Sequence, residues 1–451
     1  MMDYKQFSTA GLLNANVPRY TSYPTANHFS DQIGPKMYRK WLSELKPGTE
    51  VSFYVHIPFC ERLCWYCACR TQGVNTQRPV KAYIETLVQE IESVSRILDG
   101  NVKISHLHWG GGSPTILSPE LMVQLAHIIS DRMRFVSVSQ FSVEIDPTTM
   151  SPEKYDALKI AGLSRASVGI QDFDQGVQHA IGRLQSFEVT KTCVDALRTR
   201  KIRSINFDLV YGLPHQTPDS LDRTLDLALS LSPDRIALFG YAHVPWMAVR
   251  QKMIASDTLA NAQARLGLFN AAKDKLLRAG YIQIGIDHFT LPQDSLALAA
   301  RNHRIRRNFQ GYTDDSADVL IGVGASSISQ LPSGYVQNNS ATSNYAKSIN
   351  NGGFATARGH AYSRQDRCIG YAINELMCYF GVSISDLAAQ FGHVASLVAM
   401  DLEKVSCEYA AFVSWDGDRL EVLENGRELT RLIASKLDRY FLSGTNHSKA
   451  I

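Results

Sequence analysis

The chain has 451 residues, of which 45% are hydrophobic and 20% charged, a balance that suits a folded globular protein and excludes disorder along its whole length. Its 46 basic and 43 acidic residues leave a net charge of +3, which does not suggest a nucleic-acid binder. No apolar run reaches the ~18 residues of a membrane span, and the first twenty residues lack a basic stretch followed by an apolar one. No membrane and no secretory signal are expected, and the cytoplasm is the expected compartment.

Along the chain, an N-terminal extension over 1–48 precedes a region of alternating strand and helix patterns. Short β-rich runs are predicted at Val51–Ile57, Lys103–Trp109, Gln140–Ile145, Arg165–Ile170, Ser204–Val210 and Arg235–Tyr241. Between the first two, Tyr83, Leu87, Ile91, Val94 and Leu98 recur at the spacing of one helix face. Further helices are expected over Pro119–Arg132, Pro152–Ala161, Phe187–Arg198 and Pro218–Leu229. Such alternation predicts an α/β fold with a parallel sheet, either an incomplete (β/α)6 TIM-like barrel or a flat doubly wound sheet. Residues 246–360 read as irregular and basic, and complete a central unit over 49–360. From 361 to 451 the pattern turns helical, with a hairpin about Trp415-Asp416-Gly417-Asp418, which suggests a small C-terminal domain of winged-helix type.

The chemistry concentrates where predicted strands end, which in a barrel is a single mouth. Four of the eight cysteines fall within ten residues, at Cys60, Cys64, Cys67 and Cys69. In a long chain with no secretory signal such a cluster points to metal rather than to disulfides. Cys60-x3-Cys64-x2-Cys67 can hold three irons of a [4Fe–4S] cluster and leave the fourth open. A zinc site drawn from all four thiols is the alternative, although Cys67-x-Cys69 is tight for a closed tetrahedron. Gly110-Gly111-Gly112-Ser113-Pro114, after the second strand, would let a ligand approach the backbone.

These residues carry a resemblance. The three-cysteine loop after the first strand, Tyr66 before the third cysteine, and the Gly-Gly-Gly-Ser-Pro turn resemble the radical S-adenosylmethionine superfamily. Tyr54-Val-His-Ile-Pro-Phe-Cys60, His108-Trp-Gly-Gly-Gly112, Glu144-Ile-Asp-Pro147, Gly169-Ile-Gln-Asp-Phe173, Asp208-Leu-Val-Tyr-Gly-Leu-Pro214, Tyr241-Ala-His243, Asp287-His-Phe289, Arg307-Asn-Phe-Gln-Gly-Tyr-Thr313 and Pro18-Arg-Tyr-Thr-Ser-Tyr-Pro-Thr25 are similar to the oxygen-independent coproporphyrinogen III oxidase family. That resemblance implies oxidative decarboxylation of two propionates of coproporphyrinogen III to vinyl groups, giving protoporphyrinogen IX. It also implies a [4Fe–4S] cluster, two molecules of S-adenosylmethionine, an electron donor of flavodoxin or ferredoxin type, and a monomer. A heme-binding paralogue on the same scaffold is the alternative; Cys69 and the Pro18–Thr25 segment speak against it.

Carried over by motif, Cys60, Cys64 and Cys67 are the implied cluster ligands. Tyr54, Gly111, Glu144, Ala242 and Ile328 fall around one implied S-adenosylmethionine, Tyr66, Ser113, Gln171, Arg183 and Asp208 around a second, and Gly112 is a further implied cofactor contact. Tyr54, His56 and Glu144 are the expected catalytic side chains. His56 lies two residues beyond Tyr54, so both face one side of the first strand. A substrate with four propionates calls for cations, and Arg19, Arg304 and Arg307 are the expected contacts, the last two within the run Arg301–Arg307. Arg306, Asp314, Gly370 and Tyr371 depart from the family pattern and are expected on the substrate side or near the C-terminal segment.

Overall fold

The computed structural model describes residues 4–11, 15–441 and 449. Six strands run parallel in chain order: β1 (Glu50–Ile57), β2 (Lys103–Gly111), β3 (Arg134–Ile145), β4 (Arg165–Gln171), β5 (Ser204–Tyr211) and β6 (Arg235–Gly240). The helices α1 (Gln77–Leu98), α2 (Pro119–Arg132), α3 (Pro152–Ile160), α4 (Phe187–Thr199) and α5 (Pro218–Ser230) connect them. Most of these helices begin at a Ser or Thr whose side chain accepts a backbone N–H, as at Ser118, Ser151, Ser186 and Thr217. Ser118, Ser151 and Thr217 are each followed by proline at the first helical position. Both the strand–helix alternation and its limits follow the sequence reading to within a few residues, except that β3 begins six residues earlier.

The segment expected to be irregular is largely ordered. It contains α6 (Ala262–Arg278), the hairpin β7 (Ile282–Ile284) and β8 (His288–Thr290), and β9 (Val319–Val323), β10 (Ile328–Leu331), β11 (Gly334–Asn338) and β12 (Thr356–Ala361). The strand β8 pairs antiparallel with β6, and β9 pairs parallel with β1, so both flanks of the six-stranded core are extended. The resulting twelve-stranded sheet runs β12-β11-β10-β9-β1-β2-β3-β4-β5-β6-β8-β7 and is an open, incomplete barrel. Short strands interrupted by Gly, Ser and Asn hid this part, because a three-residue strand leaves almost no periodicity to read.

Each parallel strand buries alternate residues outward against the helices. Val51, Phe53, Val55 and Ile57 of β1, Val143 and Ile145 of β3, and Ile205, Phe207 and Leu209 of β5 join one apolar cluster with Tyr83, Leu87, Ile91, Val94 and Leu98 of α1. The intervening positions face inward and are polar: Ser52, Tyr54 and His56; Ser142 and Glu144; Arg165 and Ser167; Asn206 and Asp208. Period-2 alternation therefore divides a helix-facing core from a chemically active interior.

The end where strands begin is closed by charge. Asp314 meets Arg165 at 3.4 Å and Arg235 at 3.3 Å and accepts from Ser295, while Arg235 also meets Asp294 at 2.7 Å. Asp315 accepts from Ser52 and lies 3.0 Å from His106. Asp314 thus does not stand at the substrate side as expected; it plugs the opposite end. A separate apolar cluster gathers Phe7, Val17, Tyr20 and Tyr23 with Cys368, Leu376, Val398, Leu420 and Leu432. The expected hairpin forms over Val413–Trp415 and Arg419–Val422, and Gly381–Ser383 adds a third strand. Gly370 packs on Tyr23 and Tyr371 on Phe391 in this region.

Candidate active site

The end where strands finish opens into a cavity of about 710 Å³, within the range of small-molecule and cofactor sites, ~300–1,000 Å³. Cys60, Cys64 and Cys67 border it together with Tyr66, Gly111, Gly112, Ser113, Glu144, Gln171, Arg183, Asp208 and Ala242. Arg19 reaches the same space from the N-terminal segment. Residues from eight separated stretches of chain therefore meet at one mouth.

The thiol loop is fastened from three sides. Phe59 and Cys60 pair with Gln72 and Gly73, which closes its base. Trp65 donates its N–H to Ile181 (2.9 Å) and lays its indole on Gly182, where a Cβ would come within 2.9 Å of the ring. Arg62 donates to the Leu184 carbonyl at 2.8 Å, and Arg250 to the Cys69 carbonyl at 2.9 Å. Arg183 lies 3.7 Å from the Cys64 sulfur and 3.2 Å from Asp146. It fastens this loop to Asp146 while its Nε, buried at the cavity, has no hydrogen-bond partner.

Among the described residues no three His, Cys, Asp or Glu side chains converge on one point as a single ion would need. Three thiols set around one end of a cavity instead fit a cluster in which each thiolate takes a different iron. Cys69 adds its thiol and its N–H (3.4 Å) to the Cys67 sulfur, which pulls the Cys67 thiol down to about 6, while burial pushes Cys60 up to about 12.

The glycine run serves the fold before it serves a ligand. A Cβ at Gly110 would come within 2.5 Å of the Glu144 carboxylate, and one at Gly111, where φ is +115°, within 2.5 Å of the His56 ring. Gly112 donates to the Ile57 carbonyl (2.8 Å) and Ser113 to that of Phe59 (2.8 Å), so the turn is an extra rung beside the thiol loop. Gly111 and Gly112 present backbone to the cavity because neighbours fill the space of their side chains.

Glu144 accepts from the Gly111 N–H at 3.1 Å and lies 3.3 Å from His108. Burial raises its pKa, but His108, the Gly111 N–H and His56 outweigh it and hold the carboxyl below its ordinary value. With its side chain 40% exposed towards the cavity, it is an ionised acceptor with open lone pairs. Asp208 accepts from Ser167 and Asn206, both at 2.8 Å. Burial, aided by the Glu144 charge, lifts it to about 6 in spite of those bonds.

His56, Tyr54 and Ile328 stand behind the cavity wall rather than on it. Tyr54 bonds His56 Nδ1 at 3.0 Å and stacks on His108 at 5.6 Å, and His56 Nε2 lies 3.3 Å from Ser326 Oγ. Burial lowers His56 to about 4, so it is neutral at working pH. Ile328 packs its backbone on Gly322, two residues from Ser326. Of the three side chains expected to be catalytic, only Glu144 faces the open space.

The basic run 301–307 does not line the cavity: Arg304, Arg306 and Arg307 border a separate groove. Arg301 and Arg304 are exposed, and Arg306 pairs with Asp318 on the surface. Arg304 is therefore not brought to the cavity, because the run splits between a helix end at Arg301 and a short strand over Arg306–Asn308. Arg307 alone has a buried side chain, and it lines a smaller cavity beside the one with the thiols. Sequence reading missed Asp146, Ser167, Asn206, Gln251 and Ser326. For Ser167 and Asn206 a signal existed, since each shares strand parity with a residue already singled out.

Residues 54–228 match the radical SAM superfamily. The chain is 47% identical to the oxygen-independent coproporphyrinogen III oxidase of Paracoccus denitrificans and 48% identical to an anaerobic coproporphyrinogen III oxidase of Cereibacter sphaeroides, each over the full length of both chains. It superposes on the solved coproporphyrinogen III oxidase of Escherichia coli, a radical SAM enzyme, with a TM-score of 0.90 and 33% identity, covering 95% of this chain and 100% of that one.

Proposed function

The chain belongs to the oxygen-independent coproporphyrinogen III oxidase family of the radical SAM superfamily, and from that premise we propose how its cavity performs the oxidative decarboxylation of coproporphyrinogen III to protoporphyrinogen IX. The observation that carries the reading is the meeting of Cys60, Cys64 and Cys67 with Glu144 and Asp208 in one cavity, in a chain with full-length relatives of that activity. The enzyme uses a [4Fe–4S] cluster and S-adenosylmethionine, which when bound supply an electron and a carbon radical able to take hydrogen from a propionate β-carbon.

The protein's own part is placement. Cys60, Cys64 and Cys67 would hold the cluster, and the fastened loop keeps them at one end of the cavity. Glu144, kept ionised by His108 and the Gly111 N–H, is the acceptor for an ammonium group. Asp208, with Ser167 and Asn206 behind it, is the acceptor for a second S-adenosylmethionine, next to Tyr66, Ser113, Gln171 and Arg183. Tyr54, His56 and Ser326 act as a neutral relay that fixes His108 and the glycine run against Glu144. Arg19 and Arg307 receive propionate carboxylates. Residues 1–48 contribute Arg19 as part of a cover, 49–360 carry the radical chemistry, and 361–451 border a smaller adjoining cavity through Arg427, Glu428 and Arg431. No described helix is long and apolar enough to cross a membrane. A flavodoxin- or ferredoxin-type donor and a monomeric cytoplasmic enzyme complete the proposal.

Anaerobic incubation with coproporphyrinogen III, a reductant and S-adenosylmethionine should release CO2 and form protoporphyrinogen IX. A protein that instead retains heme stably and releases no CO2 would be the heme-binding paralogue, and the decarboxylase reading would fall.

A further inference from the structure

Of the large apolar side chains exposed among the described residues, four fall in one short stretch after β6. Trp246, Met247, Val249 and Met253 are each between 52% and 69% exposed. Soluble chains scatter such side chains singly, and several together on one turn mark a surface that another molecule covers. Tryptophan and methionine are also types that interfaces favour. Met247 borders the wide cavity, whereas Trp246, Val249 and Met253 do not line it.

The turn is held firmly, so its exposure is not that of a loose loop. Val249–Met253 is a 3-10 helix, in which positions three apart share a face. Gln251 and, just past the end, Ile254 take the inner face and are buried; Val249 and Lys252 take the outer face and are exposed. Ile254 joins an apolar cluster with Val210, Leu213 and Tyr241, against which Trp65 and Tyr66 of the thiol loop also pack. Gln251 donates to the Tyr66 carbonyl at 2.7 Å. Arg250 donates to the Cys69 carbonyl at 2.9 Å and to the Thr71 hydroxyl at 2.8 Å. The apolar surface is thus bonded to the backbone on both sides of Cys67.

The charge around it is positive. The turn and the loop it touches, 246–257 and 61–71, carry Glu61, Arg62, Arg70, Arg250, Lys252 and Asp257. Arg62 meets Asp146, and Glu61 lies near Lys154 of α3. Arg250 spends its donors on neutral oxygens, and its two contacts bracket Arg70, which is exposed. Arg70, Arg250 and Lys252 therefore stand against Asp257. Arg358 adds to them, since it lies close enough to Arg70 to be repelled by it and donates to the neutral Gln337 side chain.

We propose that this turn is the docking surface for the electron donor, an acidic one-electron carrier protein. Its apolar contact covers Trp246, Val249 and Met253, and its carboxylates meet Arg70, Arg250 and Lys252. The proposal rests on the reading of Cys60, Cys64 and Cys67 as cluster ligands. The carrier gives up one electron and the cluster takes it, so the carrier must come close to the thiol loop, and this turn is exposed apolar surface bonded directly to that loop. A membrane also accepts apolar side chains beside cations, but it takes up an amphipathic helix rather than one five-residue turn.

Anaerobic isothermal titration of the cluster-loaded full chain with a bacterial flavodoxin tests it, with iron content and circular dichroism reporting that each variant is folded. Release of 5′-deoxyadenosine is measured beside it, driven by reduced flavodoxin or by dithionite, a small reductant that needs no docking. Lys252→Glu and Val249→Asp, both on the outer face, should weaken flavodoxin binding about fivefold or more, while Lys252→Arg binds as the parent does. The parent's affinity should fall as salt rises. Dithionite-driven release should stay at the parent rate in all three. Equal flavodoxin affinity of the parent, Lys252→Glu and Val249→Asp overturns the surface, as does a parent that does not bind flavodoxin. Dithionite-driven release that falls in step with binding also overturns it, because the turn would then act through the thiols. Variants that keep flavodoxin but lose coproporphyrinogen III assign the turn to the tetrapyrrole, and variants that lose only vesicles of anionic lipid assign it to a membrane; either overturns the proposal. A parent that binds flavodoxin but releases no CO2 from coproporphyrinogen III defeats the decarboxylase reading and leaves the docking surface standing, and a chain that holds no iron–sulfur cluster defeats both.

Discussion

Gly111 and Glu144 are joined by a 3.1 Å hydrogen bond from the glycine N–H to the carboxylate, across the adjacent ends of β2 and β3. That bond makes the glycine turn and the acid one unit, since His56 packs where a Gly111 side chain would stand and the Glu144 carboxylate where one on Gly110 would. A backbone donor and His108 together fix the charge and direction of a group that borders the same cavity as the thiols.

Glu144→Gln keeps the size of the side chain but removes its charge. A hydrogen bond to a charged group is worth ~1.5–3 kcal/mol, so affinity for S-adenosylmethionine should fall about 10- to 150-fold, with cluster iron retained. Gly111→Ala should give a similar defect by a different route, because φ of +115° and the His56 ring both oppose a Cβ. Anaerobic binding and 5′-deoxyadenosine release check both; parent-like values in the two variants would refute the unit.

At the other end of the barrel, Asp314→Ala should leave Arg165 without its carboxylate and Arg235 with Asp294 alone. Breaking a buried pair costs about 3–5 kcal/mol, visible as a lower denaturant midpoint. The folded pKa of Asp314 is depressed by those arginines, although burial opposes it. Its contribution is therefore present above the ordinary carboxylate range and lost as pH falls below it. An unchanged midpoint at pH 7 would show that the plug is dispensable.

The sequence disclosed the parts of this molecule that repeat. Apolar residues at helical spacing and alternating strands recur five or six times between 51 and 241, and both sets are buried where expected. The thiols were legible from their spacing, and Glu144 from the resemblance that its motif carries. Arginines were legible in number and not in direction. Arg301, Arg304, Arg306 and Arg307 look alike in a row, yet burial selects only the side chain of the last, which meets Asp287 and lies over the Tyr312 ring. Asp314 likewise read as a substrate-side change because nothing local says at which end of a barrel a loop closes.

Asp208 supplies a pH signature. Its pKa of about 6 lies above that of an unfolded aspartate, so the folded chain binds more protons between about 4 and 6. Stability therefore falls as pH rises through that window and is lowest above it. A hydroxyl or ammonium donor needs the carboxylate, so ligand affinity should instead rise with pH up to just above 6. Asp208→Asn should remove both steps. Parallel denaturation curves at pH 5 and pH 8 decide the first and binding titrations the second; retention of both steps in the variant would place the titration elsewhere.

Gln251 ties the thiol loop to the end of β6. It is fully buried, donates from Nε2 to the carbonyls of Tyr66 (2.7 Å) and Ala242 (3.0 Å), and accepts from the Val244 N–H at 2.6 Å. One amide thereby sets the residue before Cys67 against a wall of the cavity, and only an amide offers both donors and an acceptor in that plane. Gln251→Glu fits the space but turns a donor into a third acceptor beside two carbonyls. Gln251→Ala leaves three buried backbone groups unpaired, each costing ~1–3 kcal/mol unless the loop moves. The loop can move more easily than β6, so the strain should appear at the thiols. Both variants should surrender iron to an anaerobic chelator several-fold faster than the parent, with Gln251→Glu at least as fast as Gln251→Ala. Iron release at the parent rate in both would mean that Arg62, Trp65 and Arg250 hold the loop unaided.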